Sequence, residues 1–268
     1  MTRSASTRPF EPPGALGHPR LHLRSTGSTN DRARALAIAG APHGTLVTAD
    51  EQTAGRGRHG RVWAAPARSS LLMSLVLRSD PDGPGQPTAP GRPLAGGQPS
   101  GSGQPSLAAP LPLLAAIAVC DVVGSDARVK WPNDIVRVRD GKLRKLAGIL
   151  VEGRPQAGWA VLGIGLNVAV ALADLPREVR RTADTLAWPA AEIEPTLHRL
   201  LAALARRLDE PAETVLSAWR ARDALRGREV AWESGRGHAA GIDDAGRLVV
   251  VRADGTRTEL DSGEVLPG

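Results

Sequence analysis

Residues 80–110 set the first limit on what this chain can become. They hold eight of its 22 prolines and seven of its 30 glycines, with Ser and Gln between them. Proline fixes φ and lacks a backbone donor, and glycine loses the most conformational freedom on ordering. The stretch carries too little apolar surface for burial to offset that entropy. It reads as a flexible insertion between a strand and a helix, of low functional weight.

The elements on either side are legible from periodicity and breakers. Residues 1–20, rich in Pro, Arg and Ser, read as a loose arm. Ser28 is a candidate helix N-cap, with Asp31 three residues on in the capping-box pattern. Ala33, Leu36, Ala37 and Ile38 supply the apolar face of that helix, and Gly40 its stop. Residues 45–49 read as a strand, 52–68 as a loop without periodicity, and 71–77 as a continuous apolar strand. Beyond the insertion, residues 111–123 read as a helix. Residues 128–138 and 145–152 read as strands flanking the turn pair Asp140-Gly141. Residues 159–168 form another strand, interrupted by Gly163 and Gly165, and residues 192–208 and 213–224 form helices. From residue 225 the character changes to short runs at 229–232, 237–242, 247–252 and 256–260 between Gly and Asp turns, a small all-β unit of sandwich or barrel type. The 268 residues thus divide into an arm (1–20), an α/β unit (21–224) that carries the insertion, and a β unit (225–268).

Composition narrows the class. Hydrophobic residues make up 41% of the chain, as in a globular protein, but aromatics only 3%, with no Tyr and one Phe. The core must be built from Leu, Val, Ile and Ala. The net charge of +6 suits nucleic acid, or equally an enzyme that handles ATP and an acidic partner protein. The single cysteine, Cys120, excludes an intramolecular disulfide and a cysteine zinc cluster. No apolar core of a signal peptide is visible near the start, and no apolar run reaches membrane-spanning length. A cytoplasmic protein that engages no membrane is the expectation.

Four segments carry residues suited to chemistry. In the loop from Gln52 to Trp63, Gly55, Gly57 and Gly60 alternate with Arg56, Arg58 and Arg61. Glycine admits close approach of backbone to a ligand, and Arg supplies planar donors to carboxylate or phosphate oxygens. The same residues also describe a disordered Arg-Gly segment that binds nucleic acid. Lys130, Trp131, Pro132, Asn133 and Asp134 set a cation, a flat ring, an amide and a carboxylate together. Asn133 and Asp134 are oxygen donors for Mg²⁺ near a nucleotide, although Pro-Asn-Asp is also ordinary turn chemistry. Lys145 enters an apolar strand, Leu146 to Glu152, as a charge beside a dry pocket or as a snorkelling strand-end Lys. Gly163 and Gly165 mark a close approach to the strand, or a bulge.

Taken together and in this order, the segments resemble biotin protein ligases. The resemblance rests on Ser28-Thr29-Asn30, residues 52–63, residues 130–134, residues 145–150 and residues 163–167, and extends over residues 22–268. It implies an α/β (α+β) fold, with a mixed-sheet, class II-synthetase-like catalytic domain followed by a small SH3-like β-barrel. It implies ATP-dependent formation of biotinyl-5′-AMP, then transfer of biotin to a lysine of a biotin carboxyl carrier domain, of acetyl-CoA or propionyl-CoA carboxylase type. By resemblance, Arg56, Arg58 and Lys145 are catalytic. Ser28, Thr29, Asn30, Gln52, Gly57 and Gly148 join them in holding biotin. Arg58, Arg61, Trp63, Lys130, Asn133, Lys145 and Asn167 hold ATP, with Trp63 over the adenine, and Asn133 or Asp134 binds Mg²⁺. His59 is a spacer. Many family members begin with a helix-turn-helix domain. The 27 residues before Ser28 are Pro-rich, so a ligase without DNA binding is expected, as a monomer or weak homodimer. Lipoate–protein ligation is the alternative activity, although their triple-glycine pattern is absent. A basic nucleic-acid-binding module is the alternative of another class.

Overall fold

The computed structural model describes residues 16–78, 110–154 and 158–267. The insertion, apart from Pro110, and most of the expected arm lie outside the described residues.

A seven-stranded sheet organises the larger unit. Its strands are β1 (Arg20–Leu23), β2 (Leu46–Ala49), β3 (Ser70–Arg78), β4 (Arg128–Lys130), β5 (Asp134–Arg139), β6 (Lys142–Arg154) and β7 (Trp159–Asn167). Their order is β1-β2-β3-β7-β6-β5-β4. Only β1 and β2 run parallel, because the helix α1 (Thr29–Ile38) carries the chain back between them. The other neighbours are antiparallel.

Both faces of the central strands are covered, so β3 reads as an unbroken apolar run rather than an alternation. Leu71, Met73, Leu75 and Leu77 join the main core. In that core they meet α2 (Leu111–Val123), α4 (Ile193–Leu208) and α5 (Ala212–Ala221). Val76 on the other face packs with Ala33 and Ala37 of α1. α2 is buried almost all round, with Ile117 and Cys120 fully enclosed. Burial pushes the Cys120 thiol up to about 12, so it behaves as a small hydrophobe. No described helix is long and apolar enough to cross a membrane.

Several expectations need correction. Residues 128–138 form two strands, because the chain reverses at residues 131–133 and β4 pairs back on β5. Apolar alternation cannot reveal a reversal inside a β-rich run. β1, the short helix α3 (Arg177–Arg180) and the last strand β12 (Leu266–Pro267) were not foreseen, being too short for a period. Arg20, assigned to the loose arm, begins β1 and donates to Thr48 Oγ1. Ser28 occupies the N-cap position but makes no side-chain cap bond. Instead, the amide of Thr29 donates to Gln52 Oε1 at 2.7 Å, so a residue of the following loop caps the helix.

The smaller unit is a five-stranded antiparallel sheet of β8 (Glu229–Trp232), β9 (Gly235–Ile242), β10 (Leu248–Val251), β11 (Arg257–Leu260) and β12, in the order β11-β10-β9-β8-β12. Among the described residues no pairing joins β11 to β12 to close a barrel. Its core residues Val230, Ile242, Leu248, Val250 and Val265 belong to the same hydrophobic cluster as α2 and α5. Truncating the centre of that cluster by Ile117→Ala is expected to cost about 2–5 kcal/mol, read as a lower denaturant midpoint with the slope unchanged.

Candidate active site

A cavity opens on the α1 face of the large sheet. Its walls are the start of α1, the loop from Gln52 to Trp63, the β4–β5 reversal, the middle of β6 and β7, and Gly263, Glu264 and Val265, which precede the last strand of the smaller unit.

The loop is folded back on itself. Arg56 pairs with Val62, Trp63 N–H donates to the Gly55 carbonyl at 2.9 Å, and Gly57 N–H to the Arg61 carbonyl at 2.7 Å. A side chain on Gly55 would meet the Trp63 carbonyl oxygen at 2.5 Å, which explains the glycine. His59 stands at the tip with φ +52.

A buried polar chain joins α1 to the sheet. Gln52 Oε1 accepts from Thr29 Oγ1 at 3.0 Å. Ser74, fully buried on β3, donates to Asn30 Oδ1 at 2.6 Å and lies 2.8 Å from Thr29 Oγ1. Asn30 Nδ2 donates to Glu152 Oε2 at 2.8 Å. Glu152 also receives Arg56 at 2.7 Å, and Arg56 reaches Asp31 at 2.9 Å. Gly163 lies directly beneath Asn30: a Cβ there would fall 2.0 Å from Asn30 Oδ1. The glycines of β7 therefore make room for side chains of this protein. Gly165 does the same for Trp63, whose ring would lie 2.6 Å from an added Cβ.

Lys145 reaches the cavity through a register shift. Residues 145 and 148 of an unbroken strand point to opposite faces. Here Ile135 pairs with Ala147 while Val136 pairs with Lys145, so Leu146 is an extra residue. Such a bulge re-aims the strand's side chains. Lys145 and Gly148 thus share a face, and a Cβ on Gly148 would lie 3.2 Å from Lys145 Nζ. The bulge is clamped from outside, where Lys145 N–H donates to the Thr182 carbonyl and its carbonyl accepts from Asp184 N–H. Lys145 Nζ lies 2.7 Å from Asp134 and 5.7 Å from the centroid of the Trp63 ring.

The cavity is cationic and partly desolvated. Burial lowers the pKa of Arg58 and of Lys130, and Lys145 lowers Lys130 further while Asp134 opposes both shifts. Arg58 donates to Asn133 Oδ1 at 3.2 Å, Asn133 Nδ2 donates to the Ile149 carbonyl, and Arg61 pairs with Glu264. Trp63 Nε1 is buried with no hydrogen-bond partner among the described residues. Trp63 also lines a second, more open cavity, with Ala64, Ala65, Pro66, Asp174, Leu175 and Pro176.

All the catalytic, biotin-holding, ATP-holding and Mg²⁺ residues implied by the resemblance line the first cavity except Asn167. Its amide is used internally: Nδ2 donates to the Asp184 carbonyl and Oδ1 accepts from Ser70. Sequence reasoning missed Ser74, Glu152 and Glu264. Ser74 had a readable signal as the one polar residue in the run from Leu71 to Leu77. Glu264 belongs to the Gly-Glu-Val ending (Gly263 to Val265) that the resemblance includes, but its role was not readable, because its partner Arg61 lies 203 residues away. Asn133 and Asp134 fall short of a metal cluster by themselves. No group of three or more His, Cys, Asp or Glu side chains that could hold an ion exists among the described residues.

Residues 23–89 and 99–168 match the Biotin/lipoate A/B protein ligase family, and residues 226–266 match the Biotin protein ligase C terminal domain. The chain is 36% identical to a biotin–[acetyl-CoA-carboxylase] ligase of Mycobacterium tuberculosis, over 91% of this chain and 87% of that one. It is 32% identical to the protein of the same name from Paracoccus denitrificans, over 92% and 99%. The fold is similar to that of a biotin protein ligase from Aquifex aeolicus in complex with biotin and ATP, with a TM-score of 0.70 and 23% identity over 94% of this chain and 99% of that one.

The depressed Lys130 has a consequence for stability. Its folded pKa lies below the ordinary 10.5, so the charged form is held at a cost at neutral pH. That cost is relieved as the pH rises from the folded pKa towards 10.5. Lys130→Met is therefore expected to raise the denaturant midpoint at pH 7, by a margin that shrinks at alkaline pH. A variant that is less stable at pH 7 would contradict the desolvation.

Proposed function

The chain belongs to the Biotin/lipoate A/B protein ligase family, and from that premise we propose that its cavity joins biotin to ATP and then passes biotin to a protein lysine. The observation that carries this reading is the convergence of Arg58, Lys130 and Lys145 on one cavity that also holds a buried polar wall. The reaction must bring two anions together. The biotin carboxylate attacks the α-phosphorus of ATP, the bond to the β-phosphate oxygen breaks, and pyrophosphate leaves. Fixed cations in a partly dry site compensate the repulsion without reorganising at the moment of reaction.

Residues 21–224 are taken as the catalytic unit and residues 225–268 as the C-terminal unit. Ser28, Thr29, Asn30 and Gln52 present oxygens and amides to the polar head of biotin, and Gly57 and Gly148 let the loop and sheet approach it. Arg56, Arg58 and Lys145 meet the carboxylate and the α-phosphate. Lys145 then exchanges its contact with Asp134 for the substrates. Arg61 and Lys130 face the remaining phosphates, and Trp63, with the open cavity beside it, offers a flat surface to adenine. Asn133 Oδ1 and the Asp134 carboxylate are the groups that would hold a Mg²⁺, and the ion would offset phosphate charge. In the second step the uncharged ε-amine of a lysine attacks the acyl carbon, the acyl–phosphate oxygen bond breaks, AMP leaves, the nitrogen loses a proton to solvent, and an amide forms. The acceptor is a biotin carboxyl carrier domain, such as that of acetyl-CoA or propionyl-CoA carboxylase, in the cytoplasm.

Lipoate is the other cargo that the family description names, but both near-full-length relatives are named for biotin. A nucleic-acid reading is disfavoured by the loop itself. Arg56, Arg58 and Arg61 turn onto Glu152, Asn133 and Glu264, rather than forming a solvated stripe.

Pyrophosphate exchange into ATP is expected to require biotin. Lys145→Ala and Arg58→Ala are each expected to lower it by ~10²-fold or more without loss of folding, as followed by circular dichroism. Exchange that needs lipoate instead would overturn the cargo, and near-normal exchange in either variant would remove that residue from the mechanism.

A further inference from the structure

The β4–β5 reversal carries Lys130 at the end of β4, Asn133 in the turn and Asp134 at the start of β5, and two anchors hold it. The inner anchor is Asn133, whose side chain and carbonyl both bond to the Ile149 backbone. The outer anchor is Trp131. Its ring is 2% exposed and lines the cavity, and its indole N–H donates, in a buried bond of 3.0 Å, to the carbonyl of Gly246. Gly246 belongs to the turn between β9 and β10 of the smaller sheet.

That turn is itself rigid. Asp243 Oδ1 accepts from the amides of Ala245 and Arg247, and Oδ2 from the Arg247 guanidinium. Gly246 has φ +80, and a Cβ on it would meet Leu113 at 2.7 Å and Pro110 at 2.8 Å, so the turn sits hard against the start of α2. β4 is also held along its outer edge by the chain entering the smaller unit, through Val129 with Arg222 and Ala224. Catalysis by positioned charge is sensitive to displacements of about 1 Å.

We propose that Trp131 is a positioning residue, through which the C-terminal sheet fixes Lys130 and Asp134 against the nucleotide. The proposal rests on the biotin-ligase reading and adds to it a specific mechanical link between the two units. Trp131 touches no reacting atom in this scheme. Its effect falls on the phosphate side of the cavity, because the biotin side is built on α1 and Gln52.

The test uses the full chain. Trp131→Phe keeps the ring and removes the N–H. Gly246→Ala leaves Trp131 intact and displaces its acceptor. Each is expected to lower kcat for biotin-dependent pyrophosphate exchange by ~10-fold or more and to raise KM for ATP, while calorimetric biotin affinity stays within about twofold. The double variant is expected to be no worse than the poorer single one, since both act through one contact. Wild-type exchange in Trp131→Phe, biotin affinity falling in parallel with rate, or additive losses in the double variant would each overturn the proposal. A second measurement is independent of cargo: in ¹⁵N-labelled, ligand-free protein the Trp131 indole proton is expected to resist exchange with solvent, and to lose that protection in Gly246→Ala. An unprotected indole in the wild type would overturn the contact. Absence of biotin-dependent exchange in the wild type would instead fail the ligase reading.

Discussion

A cation held in a partly desolvated cleft needs an anion beside it, and the site is arranged around that requirement. Lys145 faces Asp134, Arg56 faces Glu152 and Asp31, and Arg61 faces Glu264. These pairs are partly exposed rather than buried, so each contributes little to stability and serves mainly to orient the cations. In the proposed reaction the carboxylates hold the positive cluster in place until substrate anions replace them. Arg58 and Lys130 have no ion-pair partner among the described residues, and burial lowers the pKa of both. The one-residue bulge at Leu146 is the geometric part of the same device, since without it Lys145 would point through the sheet.

The polar chain from Gln52 through Thr29, Ser74 and Asn30 to Glu152 has a second role. It ties the helix, the loop and the central strands into one wall of hydrogen bonds. Low local dielectric strengthens such bonds and penalises any that are missing. Ser74 spends a core position on this, in a strand otherwise apolar. Gly163 and Gly165 accept the entropic cost of glycine in a strand so that Asn30 and Trp63 can lie flat against it.

The smaller sheet is continuous with this construction. Its apolar residues share the main core, Val265 and Glu264 close one side of the cavity, and the Gly246 turn meets Trp131. A unit that looks separable by composition is packed as a structural wall of the site.

Much of this was legible in order along the chain. Continuous apolar runs marked β3 and α2, a run interrupted by two glycines marked β7, Gly and Asp punctuation marked the C-terminal sheet, and the Arg-Gly loop, the Lys130 to Asp134 segment and Lys145 announced anion chemistry. These are local signals, read from period and residue type. What only the tertiary structure decided is which groups meet. It set Ser74 against Asn30, brought Glu152 to Arg56, split residues 128–138 into a hairpin, turned Asn167 inward to Asp184, and delivered Glu264 and Gly246 from the far end of the chain. The reason is physical. Propensity and patterning act over a few residues, whereas the pairing of a buried charge or amide depends on groups distant in sequence that only the closed core brings within hydrogen-bond reach.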